Sequence, residues 1–172
     1  NSKAVNIVWL KRDLRSQDHE PLLRAECAGI PYLIIYLFEP SRIDYPDTSQ
    51  RHLQFVYHSI ANLNKVLSEY NRRVDLFYGE AIDVFNYLIK DLDIISVFSY
   101  QESGIQCSWE RDKKIKQFCK SNQISWKESQ RDGILRGIKN RENWNKKWHI
   151  KMHTSVIQNK YTISKKTHLE HP

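Results

Sequence analysis

Short runs of β-branched and aliphatic residues recur along this chain, separated by longer segments whose apolar residues return every three or four positions. That alternation of period is the strongest constraint on the fold, because strand, helix, strand order points to βαβ units around a parallel sheet. The strand candidates are Val5–Trp9, Tyr32–Leu37, Val74–Tyr78, Ile95–Phe98 and the weakest, Gln123–Trp126. Apolar residues fill consecutive positions in these runs, as expected of strands covered by helices on both faces.

Four crossover helices fit between them. Asp18–Ala28 has an acidic start and stops at Gly29-Ile30-Pro31, a capping glycine followed by a terminating proline. Ser49–Tyr70 is the clearest, with Leu53, Val56, Ile60, Leu63 and Leu67 on one face. Ala81–Leu92 places Ile82, Phe85, Leu88 and Ile89 together, and Cys107–Ser121 pairs Ile115 with Phe118. Five strands joined by right-handed crossovers admit the orders 3-2-1-4-5 and 2-1-3-4-5. The first is preferred. The expected fold is therefore α/β, a Rossmann-like doubly wound five-stranded parallel sheet with helices on both faces.

A chain of 172 residues, 40% hydrophobic, supports one sizeable core. Two segments are expected: an α/β domain over 1–135, and a basic helix with its tail over 136–172. The net charge of +7 suggests an acidic partner such as nucleic acid or phosphate, although basic soluble domains without one are common. Three widely spaced cysteines, Cys27, Cys107 and Cys119, form neither a zinc motif nor a disulfide framework. No apolar stretch reaches the roughly 20 residues that span a bilayer, so a cytoplasmic chain with no membrane contact is expected.

The 3-2-1-4-5 order places a sheet reversal between the first and fourth strands, where open α/β sheets bind ligands outside the strands' carboxyl ends. The loops meeting there are Leu10–Arg15 and Ser99–Gly104, with Phe38-Glu39-Pro40 beside them. Lys11, Arg12 and Arg15 offer contacts to an anionic tail. Equally, Asp13 and a neighbouring arginine form an internal ion pair that shapes the loop. Tyr100 or Phe38 can stack on a flat ring while Glu102 accepts from ring N–H groups. With five glycines, the chain has neither a GxGxxG nor a GxxxxGK[ST] loop. Trp144 and Trp148 lie four apart among basic residues, a pattern that favours docking on a protein surface over nucleic acid. His149 and His153 lack a third metal ligand, and no catalytic constellation is visible.

The run Val8-Trp9-Leu10-Lys11-Arg12-Asp13-Leu14-Arg15, followed by Asp18 and Pro21-Leu22, resembles the opening of the cryptochrome and DNA photolyase family. The likeness continues through Tyr36-Leu37-Phe38-Glu39-Pro40, Ser49-Gln50-Arg51-His52, Gly79-Glu80, Glu110-Arg111-Asp112 and Asn140-Arg141 with Trp144. Leu10 stands where many members carry Phe, and Lys11 where many carry Arg. The resemblance implies the N-terminal α/β antenna domain of a flavoprotein. In such proteins an antenna pigment, a folate, deazaflavin or flavin, passes light energy to FAD in a larger helical domain, absent from this chain. A photolyase then splits cyclobutane pyrimidine dimers in DNA; the alternative is a cryptochrome that signals without repair. On this reading the DNA partner and the parent's lyase activity belong with the helical FAD domain, this chain alone has no catalytic residues, and its pigment-site candidates are Lys11, Arg12, Phe38, Tyr100 and Glu102.

Overall fold

In a computed structural model, which describes residues 3–46, 48–102, 106–132 and 142–165, the chain forms five strands and six helices among those residues. In order they are β1 (Lys3–Leu10), α1 (Glu20–Cys27), β2 (Tyr32–Phe38), α2 (Pro40–Ile43), α3 (Gln50–Ser68), β3 (Val74–Tyr78), α4 (Ala81–Asp91), β4 (Leu92–Tyr100), α5 (Gln106–Ser121), β5 (Ser125–Ser129) and α6 (Trp144–Met152). The sheet runs β3-β2-β1-β4-β5 and every pair is parallel, so the expected order and class hold.

Alternation along β1 divides the core. Val5, Ile7 and Trp9 pack with Phe85 and Leu88 of α4 and Ile115 of α5 on one face. Val8 and Leu10 pack with Leu22 of α1 and Val56, Ile60 and Leu67 of α3 on the other. Trp9 is 1% exposed and meets Phe85 edge-on, with ring centroids 5.4 Å apart.

The differences from expectation have local causes. Helix α1 starts at Glu20, not Asp18, because Asp18 takes a left-handed φ of 53° and His19 is the extended N-cap, its ring accepting from the Leu22 N–H. Strand β4 begins at Leu92, directly after α4. There Leu92 and Ile94 are buried while Asp93 and Ile95 are exposed, an alternation that a search for continuous apolar runs passes over. Strand β5 starts at Ser125 because Gln123 has a φ of 58° and Ile124 N–H donates to Cys119 O, closing the end of α5. Helix α2 was not anticipated; Pro40 occupies its first turn, where its fixed φ suits a helix.

The candidate boundary near residue 135 lies outside the described residues, as do Arg136, Lys139 and Arg141. Helix α6 buries none of its residues, and Trp144 and Trp148 stack on each other with centroids 6.4 Å apart. Beyond it, residues 157–164 run extended across the α/β unit, bonded to residues 16–19 and to Glu26, Tyr70, Asn71 and Arg72.

Phe85 of α4, fully buried against Trp9 and Phe118, cannot be truncated without leaving a cavity. Phe85→Ala is expected to lower stability by about 3–5 kcal/mol in denaturant unfolding.

Candidate functional site

Strand β1 ends at Leu10, and the chain then turns around one carboxylate. Asp13 Oδ1 accepts the Lys11 N–H at 2.9 Å, Asp13 O accepts the Arg15 N–H at 2.9 Å, and Asp13 Oδ2 lies 2.6 Å from His19 Nε2. Because His19 Nδ1 accepts from Leu22, the ring proton sits on Nε2 and is donated to Asp13. Burial pushes the Asp13 carboxyl up, but the His19 and backbone hydrogen bonds outweigh it and hold the group below its ordinary range.

The loop brings Leu10, Lys11, Arg12 and Leu14 to the edge of a cleft of about 330 Å³ at the carboxyl ends of β1 and β2. Its apolar wall is Tyr36 and Phe38 of β2 facing Leu53, Phe55 and Val56 of α3. Tyr36 and Phe38 meet edge-on at 5.0 Å, and burial pushes the Tyr36 phenol up to about 12.

The other end is ionic. Glu102, with its side chain 3% exposed, accepts from Arg42 Nη1 and Nη2 at 3.0 and 2.8 Å and from Arg111 Nη2 at 2.7 Å. Arg12 Nε stands 3.2 Å from the same carboxylate. Burial alone would raise Glu102; Arg42 and Arg111 reverse that and hold it well below the usual carboxylate range. Arg111 also donates to Glu39 Oε2 at 2.8 Å and to Asp112 Oδ1 at 2.8 Å. Glu39 Oε1 is buried with no hydrogen-bond partner among the described residues, and burial raises that carboxyl despite Arg111. Helix α2 aims Arg42 across the cleft, and Glu80 fixes α2 by accepting from Ser41 N at 2.8 Å and Ser41 Oγ at 2.9 Å.

Four of the five candidates from the sequence line this cleft: Lys11, Arg12, Phe38 and Glu102. Lys11 is buried, with Nζ 3.4 Å from Asp112 Oδ1 and 4.5 Å from the Trp9 ring centre; burial lowers its pKa, and Asp112 only partly restores it. Arg12 is the half-exposed cation of the rim. Tyr100, the fifth, does not line the cleft. It shares a sheet face with Phe98, but its ring lies 5.1 Å from His19 and its hydroxyl accepts the Glu20 N–H at 2.9 Å, so the start of α1 covers it. The cleft also opens toward β2 and α3 rather than squarely between β1 and β4. Ser103 and Gly104 of the expected facing loop lie outside the described residues.

Sequence reasoning missed Arg42 and Arg111 as cleft residues. Arg111 stands in the Glu110-Arg111-Asp112 motif, which was a usable signal. Arg42 follows Pro40 in an unanticipated helix and had none.

The DNA photolyase family model matches residues 6–159, most of the chain. The chain belongs to the DNA photolyase family. Curated relatives include the cryptochrome DASH proteins of Synechocystis sp., 25% identical over 101 residues, and of Danio rerio, 25% identical over 124 residues. These alignments cover 56% and 69% of this chain but 21% and 24% of those proteins, so this photolyase-family chain spans about a quarter or less of either relative. Among solved structures, the archaeal photolyase from Sulfolobus tokodaii superposes with a TM-score of 0.75 at 22% identity, covering 92% of this chain and 37% of that one. That crystal structure holds two FAD molecules, with the implication of a novel light-harvesting cofactor. The class III photolyase of Agrobacterium tumefaciens also gives 0.75 at 19% identity, covering 96% of this chain and 36% of that one. At these identities the superpositions establish the photolyase α/β fold.

Two outcomes follow for the ionic end. Arg111→Ala leaves Glu39, Glu102 and Asp112 short of their shared cation and is expected to cost about 3–5 kcal/mol in urea unfolding. Glu102 is held below its ordinary value of 4.5, so its contribution is complete above that pH and is lost as pH falls toward its folded value. The stability gap between wild type and Glu102→Gln should therefore narrow on acidification from about pH 6 to pH 3, read by unfolding at each pH.

Proposed function

We propose that this chain is the antenna domain of a deoxyribodipyrimidine photolyase-like flavoprotein, with the cleft as its pigment site. The observation that carries this reading is the cleft itself, whose aromatic and aliphatic wall faces a set of fixed charges. Its size fits the lower end of small-molecule sites, about 300–1,000 Å³. Phe38 and Tyr36 offer ring contacts, Arg12 and Arg42 keep N–H groups for carbonyl, phosphate or carboxylate oxygens, and Glu39 Oε1 supplies an unmatched acceptor for a ring N–H. These residues fit a flat heteroaromatic group such as a folate, deazaflavin or flavin.

When bound, such a pigment supplies light absorption. This chain's part is to hold the ring between β2 and α3 and to exclude water from the buried Glu39 and Glu102. The FAD and the cyclobutane pyrimidine dimer in DNA are assigned to a helical domain that follows the antenna unit of 1–135, with 136–172 as the connecting segment. Lys11, at the inner edge of the cleft, fixes the end of β1 through Asp112 and the Trp9 ring rather than reaching for ligand. Tyr100 is assigned to holding the start of α1.

The cryptochrome DASH names of the curated relatives favour a second reading, in which the parent protein signals under blue light without repair. Blue-light dimer splitting by the full-length protein separates the two: robust splitting supports repair, and its absence with FAD bound supports signalling.

The pigment site is tested by titrating the chain with flavin mononucleotide, a deazaflavin and a reduced folate, followed by absorbance and fluorescence. One of them should bind, and Arg42→Ala should weaken it by about tenfold or more, as expected for loss of a charge-assisted hydrogen bond. Binding of none, by the chain or by the full-length protein, would remove the antenna role.

A further inference from the structure

The residues between the cleft loop and α1 are held from outside that stretch of chain. Each of residues 16–19 is bonded to the extended segment that follows α6. Ser16 O accepts from the Tyr161 hydroxyl. Gln17 and Asn159 exchange two bonds, Asn159 N to Gln17 Oε1 at 2.9 Å and Gln17 Nε2 to Asn159 O at 3.0 Å. Asp18 N donates to Ile157 O at 2.9 Å, and Ile157 N returns to Asp18 Oδ1 at 3.0 Å. The Asn159 amide, on a residue 7% exposed, grips the His19 peptide from both sides: Oδ1 accepts from His19 N and Nδ2 donates to His19 O, each at 2.9 Å.

His19 is fully buried and passes this constraint inward. Its Nε2–H holds Asp13, and Asp13 holds the Lys11 and Arg15 N–H groups that shape the cleft edge. Asp18 sits in the left-handed region, a conformation that costs an aspartate roughly 1 kcal/mol and persists only where surrounding bonds enforce it. Two of those bonds come from Ile157.

We infer that residues 157–161 are a positioning element for the cleft, acting through Asn159, His19 and Asp13 to set the Lys11–Arg15 loop. The path is a continuous line of hydrogen bonds, and those from Asn159 go to Gln17 and His19, neither of which lines the cleft. The segment that clasps α1 therefore also decides whether Arg12 and Leu14 stand where a ligand meets them. The consequence for ligand affinity rests on the reading of the cleft as a pigment site; the consequence for loop order does not.

Hydrogen exchange on the 172-residue chain, resolved by residue, tests the coupling. Asn159→Ala should speed exchange of the Lys11 and Arg15 amides by about tenfold or more, with Ile34 and Ile35 of β2 unchanged. Thr162→Ala removes a bond to Glu26 farther along the same segment and should leave the loop amides at their wild-type rate. Wild-type loop exchange in Asn159→Ala, or equal acceleration across the whole sheet, overturns the inference. If Asn159→Ala does not fold, Asn159→Asp, which can still accept from His19 N but loses the donor to His19 O, should speed exchange at the same two amides, and wild-type rates there overturn the inference. Flavin mononucleotide titration supplies the second readout: affinity should fall about tenfold in Asn159→Ala and hold in Thr162→Ala. Unchanged affinity in Asn159→Ala overturns the positioning role. Failure of the wild type to bind this probe counts against a flavin in the cleft, while the exchange rates still decide the coupling.

Discussion

The buried carboxylate of Asp13 is the interaction on which the functional end of this molecule depends. A strand that leaves a parallel sheet exposes unpaired N–H groups at its carboxyl end, and here one side chain gathers the Lys11 N–H while its own carbonyl takes that of Arg15. Taking that carboxylate out of water is costly, and the His19 ring offsets the cost with a short hydrogen bond from the side facing α1. The same imidazole caps α1 through Nδ1. One buried pair thus fixes the cleft loop, the start of the first crossover helix and the angle between them.

The ionic end of the cleft follows another logic. Lys11, Arg12, Arg42 and Arg111 stand against Glu39, Glu102 and Asp112, so four cations meet three carboxylates and the cluster is nearly self-neutral. Clusters of this kind contribute more to geometry than to net stability, because desolvation consumes much of the attraction. Glu102 and Glu39 illustrate the balance. Glu102 is held ionised by Arg42 and Arg111 against its burial, whereas Glu39 has one strong partner and an unmatched oxygen, and burial moves its pKa the other way. That asymmetry leaves Glu39 as the acceptor with spare capacity in an otherwise balanced site.

The photolyase α/β fold sets where these groups meet but not which groups they are. The doubly wound order puts the ends of β1, β2 and β4 side by side, and α2 closes the cleft from the β2 side. The arginines then come from a short helix, a strand-end loop and a long helix, three places far apart in sequence. The segment over 157–164 supplies none of the cleft's lining and binds back on His19, Glu26 of α1 and Asn71 just beyond α3.

By itself the sequence determined the strand and helix alternation, the stop after the first helix, a preference between two sheet orders, and the importance of the Lys11–Arg15 loop. Those signals are local: side-chain periodicity, a capping glycine with its proline and an abrupt change from apolar to charged residues are written in neighbouring positions. The family motif extended this to Glu39 and Arg111 as residues of note, though not as partners. Tertiary structure alone decided that Tyr100 supports α1 instead of the cleft, because the ring meets His19, eighty-one positions earlier in the sequence. It also decided that Arg42 reaches Glu102 and that Asn159 grips His19. A hydrogen bond across such a separation leaves no periodicity to read; it exists only once the strands have set the distance between its ends.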